Sequence, residues 1–170
     1  MIVWINGTYG VGKSSVAKKL SEILGDKSEI IETDFYFKEF CKKKFFKVGG
    51  GFYPQNNKVF INDLSEIIES KENKNKIIIV PMTVTMEESK QGLIDYLSKK
   101  IELKHIILTA DKEVIKDRIN NDFNRAKDTS LYWLDSNIAL LNRKFNNTKT
   151  INTTNKTVEE IANIIYNEIY

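Results

Sequence analysis

The apolar positions of this chain alternate between short unbroken runs and longer stretches with a helical period. Unbroken apolar runs are typical of strands that are covered on both faces. They lie at 1–5, 77–80 and 105–108, with two weaker strand candidates at 29–33 and 150–152. Helical periods cover residues 16–24, 58–71, 87–100, 111–121, 130–145 and 157–169. This alternation predicts an α/β fold in which a five-stranded parallel sheet has helices on both faces.

Two helix starts have the sequence of a capping box, in which Ser or Thr is followed three residues later by Glu. Thr157 with Glu160 predicts the start of the last helix. Thr85 with Glu88 predicts the start of the helix at 87 in the same way.

Residues 7–14 read GTYGVGKS, a complete G-x-x-x-x-G-K-[ST] phosphate-binding loop. The loop stands directly after a predicted buried strand and directly before a predicted helix, as the motif requires. Lys13 is expected to reach the β- and γ-phosphates and Ser14 to hold Mg²⁺, while backbone N–H groups cradle the phosphates. The predicted nucleotide-binding residues of the loop are Gly7, Gly10, Val11, Gly12, Lys13, Ser14 and Ser15.

Ligands of parallel α/β sheets bind at the carboxyl ends of the strands. This rule selects residues 32–34, 81–85 and 152–155. Glu32 and Asp34 are two apart on a predicted strand, so we expect both carboxylates to leave the same face. One could hold Mg²⁺ through water, and Asp34 could orient or deprotonate an acceptor hydroxyl. The alternative is that Asp34 caps the segment that begins at Phe35.

Residues 35–53 carry eight aromatic side chains and five lysines and end near three consecutive glycines. One interpretation is a mobile substrate flap, spanning about residues 35–70, whose rings line a pocket. Another is a helix that buries some rings and leaves its lysines in solvent. A third, a stacking surface for single-stranded nucleic acid, is disfavoured by the mild net charge of +3.

The three arginines of the chain are Arg118, Arg125 and Arg143, against 26 basic side chains in all. Their clustering predicts a lid over about residues 118–135 that closes on the nucleotide, with one arginine near the adenine and one near the transferring phosphoryl group. The alternative is that they are ordinary arginines on helix surfaces, which suits Arg143 best.

The bulk composition indicates one domain over residues 1–170. With 41% hydrophobic residues the chain can bury one good core, which we assign to 1–34, 76–117 and 149–170. Its single cysteine, Cys41, fits a reducing compartment. No apolar run reaches membrane-spanning length and no secretory signal is present, so a cytoplasmic protein is expected. The sequence does not indicate an oligomeric state.

The chain resembles the small P-loop kinases of the nucleoside-monophosphate-kinase and shikimate-kinase type, and more narrowly the bacterial tunicamycin-resistance ATP-binding proteins. The narrow resemblance rests on MIVWINGTYGVGKSS at the start and IIIVPMTVTMEE in the middle, with weaker agreement through TADKEVIKDRI. It implies a P-loop NTPase sandwich of three layers with a lid. It also implies binding of ATP and Mg²⁺ and a small hydroxylated acceptor, such as an antibiotic.

The resemblance also assigns roles to individual residues. It implies that Arg118 lies over the adenine and that Arg125 approaches the phosphates. It also implies that Asn152–Asn155 form the adenine loop, with Asn152 and Thr154 binding the nucleotide. Met82, Thr83 and Thr85 would face the acceptor. Because no Asp follows the third strand, Mg²⁺ would depend on Ser14, Asp34 and water.

Two functions follow as hypotheses from the sequence. The first is an ATP-dependent kinase in which Lys13, Asp34 and Arg125 are catalytic and Glu32, Asp34, Met82 and Thr83 bind the acceptor. The second is a protein that sequesters its ligand on binding ATP, without phosphoryl transfer.

Overall fold

The structure is a computed structural model that describes residues 1–44, 53–72, 76–123 and 127–170. These residues form one parallel sheet with helices on both faces, which confirms the predicted α/β class. The strands are β1 (Ile2–Gly7), β2 (Ser28–Ile30), β3 (Ile77–Pro81), β4 (Leu103–Thr109) and β5 (Lys149–Asn152). Their order across the sheet is β2-β3-β1-β4-β5, and every neighbouring pair is parallel.

The central strand β1 is buried along its whole length. Trp4 stands in register with Val80 of β3 and with His105 of β4. Successive side chains of β1 enter opposite cores, Ile2 and Trp4 on one face and Val3 and Ile5 on the other. This double burial explains why the strand reads as an unbroken apolar run.

The helices divide between the two faces of the sheet. α1 packs with α8 over one core, while α2, α3 and α7 supply side chains to the other. The α-helices are α1 (Lys13–Leu24), α2 (Thr33–Lys43), α3 (Lys58–Glu72), α4 (Glu87–Ser89), α5 (Lys112–Asn120), α6 (Lys127–Tyr132), α7 (Leu134–Lys144) and α8 (Val158–Ile169). None of the helices in the described part of the chain is long and apolar enough to cross a membrane.

The prediction that Glu32 and Asp34 share a strand face is wrong. β2 ends at Ile30. Glu32 takes the N-cap position of α2, and Asp34 lies inside the first turn of that helix. The side chain of neither residue caps the helix, so the capping interpretation of Asp34 is wrong as well. An acid in the first turn is still favourable there because it faces the positive end of the helix dipole.

One of the two predicted capping boxes is present. The Thr157 hydroxyl accepts from the backbone N–H of Glu160 at 3.1 Å, and the Glu160 carboxylate accepts from the N–H of Thr157 at 2.7 Å. The helix at 87 instead has Met86 at its N-cap position without a side-chain cap. Thr85 is buried, and its hydroxyl donates to Gln55 Oε1 at 3.0 Å.

The aromatic segment begins as a packed helix. Phe37 and Phe40 of α2 are buried, and both rings contact the ring of Phe60 from α3. The lysines of this helix, Lys38, Lys42 and Lys43, are exposed. Over residues 33–43 the chain therefore forms a helix that buries some of its rings and leaves its lysines in solvent, as in the second interpretation of this segment. The glycines at 49–51, on which the flap interpretation depends, lie outside the described residues.

Two predicted helices are interrupted. The helix predicted at 130–145 is divided at Trp133 into α6 and α7. The helix predicted at 87–100 continues from α4 as a π-helical segment, Lys90–Asp95. Gly92 lies in that segment against α3, where an added Cβ would approach Ile61 Cγ2 to 2.3 Å. A π-helical turn is uncommon, and the close contact of Gly92 shows how tightly this one packs.

Candidate active site

The phosphate loop connects the end of β1 to the start of α1. Gly7, Gly10 and Gly12 have φ values of 144°, 72° and 102°, which side chains with a Cβ rarely adopt. At Gly7 there is also no room, because an added Cβ would meet the carbonyl oxygen of Leu108 at 2.7 Å. The glycine positions of the motif are thus required by the backbone itself.

The side chain of Lys13 folds back over the phosphate loop. Its Nζ donates to the carbonyl oxygens of Gly7 at 3.0 Å and Thr8 at 2.9 Å. These bonds place an ammonium group over the concave side of the loop. Ser14, the next residue, is exposed and lines the same side.

The loop fits a bound phosphate chain. At Gly12 an added Cβ would meet no atom within 4 Å, so the space in front of the loop is open. Gly12 is also the N-cap residue of α1, and no side chain caps the helix there. The first turn of α1 contains no acidic residue. Uncapped N–H groups and the positive end of the helix dipole therefore face that open space, which favours an anion.

Asn6 fixes the phosphate loop to the loop after β3. This side chain is fully buried. Its Oδ1 accepts from the N–H groups of Gly7 at 2.8 Å and Val84 at 2.9 Å, while its Nδ2 donates to Val84 O at 3.1 Å. The Thr83 hydroxyl adds a bond of 2.8 Å to Gly7 O. The sequence analysis did not single out Asn6, although it stands directly before the motif.

His105 on β4 lies against the same amide. Asn6 Nδ2 and His105 Nε2 are 3.2 Å apart, and the ring packs edge-on against Phe145 with 4.7 Å between centroids. Burial lowers the pKa of His105 to about 4, although the negative charge of Asp95 opposes this shift. A neutral imidazole whose Nε2 accepts from Asn6 is consistent with that pKa.

A cleft opens on the Lys13 side of the phosphate loop. Of the predicted acceptor residues, Asp34, Met82 and Thr83 line it, whereas Glu32 does not. The other described residues in its wall are Tyr9, Lys13, Ser14, Thr33, Tyr53, Pro54, Gln55, Pro81, Thr85, Met86, Thr129, Trp133, Asn137 and Leu140. The cleft therefore brings Lys13, Ser14 and Asp34 to one space.

Gln55 holds the far wall of this cleft. Its Oε1 accepts from the N–H groups of Thr85 at 2.6 Å and Met86 at 3.2 Å, in addition to the Thr85 hydroxyl. One side chain thus organises the turn that leads into α4. No motif points to Gln55 in the sequence, because its partners lie about thirty residues away.

A second pocket lies on the other side of the phosphate loop, where Gly10, Gly12 and Ser15 form one wall. Arg118 of α5 lines it and is held by Thr153. Arg118 Nη1 donates to Thr153 Oγ1 and Nη2 to Thr153 O, both at 3.0 Å. The Thr153 hydroxyl donates in turn to Val11 O at 3.4 Å. Arg118 is thus fixed beside the phosphate loop.

The loop after β5 contributes to this pocket through Thr153, which lies in the range selected from the sequence, and through Lys156, which lies just outside it. Asn152 and Thr154 do not line the pocket. Asn152 Oδ1 accepts from the N–H of Thr154, and Thr154 Oγ1 accepts from the N–H of Asp111, both at 2.8 Å. The roles of Asn152 and Thr154 in adenine binding stay predictions. Arg125 lies outside the described residues, so its catalytic role stays a prediction too.

Comparisons with known proteins agree with this geometry. The family model described as an AAA domain matches residues 2–130. The chain belongs to this AAA-domain family. Its matched part includes the phosphate loop, Asp34, the loop after β3 and Arg118. No curated protein matches the chain in sequence.

Solved structures similar to this AAA-domain protein include two kinases and a resistance protein. The tunicamycin resistance protein of Deinococcus radiodurans is 22% identical, with a TM-score of 0.73 and coverage of 99% of this chain and 94% of that one. The APS kinase of Mycobacterium tuberculosis is 15% identical (TM-score 0.72, coverage 99% and 96%). The shikimate kinase of Acinetobacter baumannii is 17% identical (TM-score 0.63, coverage 99% and 90%). These likenesses confirm the P-loop kinase fold and the structural similarity to a tunicamycin resistance protein.

We predict that Asn6→Ala destabilises the protein by roughly 3 kcal/mol or more, because it leaves the buried N–H and C=O of Val84 and the N–H of Gly7 without partners. Urea unfolding monitored by circular dichroism measures the change. Asn163→Ala, at an exposed position of α8, is the matched control and should alter stability by no more than about 0.5 kcal/mol. A loss for Asn6→Ala as small as that of the control would contradict the role given to this amide.

We also predict that the free energy of unfolding falls as the pH is lowered from about 6.5 towards 4. The pKa of His105 in the folded protein, about 4, lies below the ordinary value near 6.5. The unfolded chain therefore binds this proton first, and the stabilisation is complete only above about pH 6.5. In His105→Gln, the slope of stability against pH between 6.5 and 5 should be nearly flat, since this is the only histidine. Equal slopes in the two proteins would refute the assignment.

Proposed function

We propose that this protein is an ATP-dependent phosphotransferase that moves the γ-phosphoryl group of MgATP to a hydroxyl of a small molecule. One observation carries the proposal. The phosphate loop is the common wall of two pockets, with Arg118 and Thr153 on one side and Lys13, Ser14 and Asp34 on the other. A nucleotide whose base lay in the pocket beside Arg118 would direct its terminal phosphate into the cleft beside Lys13, towards an acceptor.

The nucleotide would be bound mainly by the loop and by α1. The N–H groups from Gly10 to Ser15 and the Lys13 ammonium would neutralise the phosphate oxygens, and Arg118 would lie beside the base. Mg²⁺ supplies further positive charge against the phosphates when it is bound. The Ser14 hydroxyl and, through water, the Asp34 carboxylate are the groups that would hold it, which fits the preference of this ion for oxygen ligands.

Asp34 would act on the acceptor. Its carboxylate would accept a hydrogen bond from the acceptor hydroxyl and take its proton as the oxygen–phosphorus bond forms and the bond to the leaving ADP breaks. Its position in the first turn of α2 lets it reach the cleft while its backbone is held in the helix. An antibiotic is a suitable acceptor to test first, because a tunicamycin resistance protein shares the fold.

We predict that Lys13→Ala abolishes turnover, with a loss of at least about a hundredfold, because the transferring phosphoryl loses its fixed positive charge. Release of ADP in the presence of MgATP and an acceptor panel measures the effect. Lys18→Ala, which removes an exposed lysine of the same helix, is the control and should retain the wild-type rate. Turnover in Lys13→Ala at the wild-type rate would overturn the assignment of the loop.

We predict that Asp34→Asn lowers kcat by roughly a hundredfold to ten-thousandfold, the range for loss of a general base. The KM for ATP should change by less than about threefold, since the loop is intact.

Mass spectrometry of the acceptor distinguishes transfer from the alternative function, sequestration. A phosphorylated acceptor with the wild-type protein supports the kinase. Binding of ATP and a ligand without any phosphorylated product would contradict the kinase and favour sequestration.

A further inference from the structure

Two buried polar side chains in the cleft have no hydrogen-bond partner in the part of the chain that the structure describes. Asn137 on α7 is 6% exposed and Thr33 at the start of α2 is 5% exposed, and both line the cleft. Neither side chain is among those sealed in the interior without a partner. Both residues keep a small exposed fraction and line the cleft, so the cleft is where their polar atoms can meet a ligand.

Such groups are uncommon in folded proteins. Buried amides and hydroxyls are nearly always hydrogen-bonded, because leaving one without a partner is destabilising. The exceptions call for a specific explanation, and a binding role is one. An amide offers two donors and an acceptor, and a hydroxyl offers one donor and two acceptor sites. Asn137 and Thr33 thus supply unused hydrogen-bonding capacity to the space in front of Asp34.

Aromatic rings form another part of the same wall. Trp133 precedes Asn137 by one helical turn, and the N–H of Asn137 donates to Trp133 O at 2.9 Å. The Trp133 ring meets that of Tyr53 edge-on, with 6.4 Å between centroids. Tyr9 of the phosphate loop also lines the cleft. Broad apolar ring surfaces next to hydrogen-bonding groups suit a flat ring that carries hydroxyls.

The charges in the wall indicate which kind of ring. Of the described side chains that line the cleft, Lys13 and Asp34 are the charged ones. Lys13 lies on the phosphate loop, held by its carbonyl oxygens, and is assigned to the nucleotide. The charged group that remains beside the acceptor is therefore the carboxylate of Asp34. A carboxylate attracts a hydroxyl and repels an anion.

We propose that Asn137 and Thr33 bind the acceptor through hydrogen bonds, and that this acceptor is an uncharged, hydroxyl-bearing ring compound that packs against Trp133. The proposal rests on the proposed function, in so far as that function places the acceptor in this cleft.

Binding can be measured without phosphoryl transfer. The chain has two tryptophans; Trp4 is fully buried in the core, whereas Trp133 lies at the cleft. Quenching or a shift of tryptophan emission, absent in Trp133→Phe, therefore reports entry of a ligand. Matched pairs that differ in charge provide the probes, namely thymidine with thymidylate and glucose with glucuronate, followed by a set of neutral nucleosides and glycosides.

At least one neutral compound should bind, and about tenfold or more tightly than its anionic counterpart. Asn137→Leu and Thr33→Val should each weaken that binding about tenfold while leaving the thermal shift caused by MgATP unchanged. Neither variant should lower the melting temperature of the free protein, because each removes an unpartnered polar group. Asn142→Leu, at an exposed position of the same helix, is the control and should bind as the wild type does.

Three results would overturn the proposal: no binding by any neutral compound, equal or tighter binding of the anions, or unchanged binding in both variants. These failures are separable from failure of the proposed function. A neutral ligand that binds through Asn137 and Thr33 but is never phosphorylated would support the proposed acceptor site and contradict the proposed kinase activity. A phosphorylated product that both variants form as well as the wild type would support the kinase activity and contradict the proposed acceptor site.

Discussion

The hydrogen bonds of the Asn6 amide fix the geometry on which the rest of the site depends. A phosphate loop needs its glycines in conformations that are unfavourable for most residues, and such backbone persists only where its surroundings define it fully. Asn6 supplies that definition by joining Gly7 to both backbone polar groups of Val84. The end of β1 and the loop after β3 are therefore held together. Because the loop after β3 also forms the wall of the cleft, the same amide sets the position of the phosphate loop relative to the acceptor side.

The neutral state of His105 belongs to this constraint. A protonated imidazole would turn Nε2 into a donor, and two donors would then face each other across 3.2 Å. Burial keeps the proton off at neutral pH, since it lowers the pKa to about 4. The geometry of the phosphate loop thus relies on a polar network with a defined number of donors and acceptors. A network of this kind is rigid when every member is satisfied, and a single misplaced proton disturbs all of it.

The sequence predicted the features that are set locally. The apolar runs identified the central strands because Ile2 to Ile5 face two cores at once, and the loop motif was recognised because its glycine spacing is imposed by the backbone. Predictions failed where distant contacts decide the outcome. Thr85 had the spacing of a helix cap, yet its hydroxyl donates a hydrogen bond to Gln55 instead. β2 stops at Ile30, so the period of two that linked Glu32 to Asp34 did not apply.

The acceptor side of the cleft was least visible in the sequence for the same reason. Thr33 and Asn137 stand on helices a hundred residues apart, and each reads locally as an ordinary polar position. Their significance lies in a mismatch between burial and bonding, which exists only after the chain has folded. A side chain that is buried without a partner is a cost to the free protein, and a ligand that supplies the partner recovers it. Selectivity of this kind also rejects ligands that lack the matching groups, because they would leave the same atoms unpaired. In the proposed site the buried amide and hydroxyl would therefore act as selective elements, whereas the phosphate loop, which would contact only phosphate oxygens, would be indifferent to the acceptor.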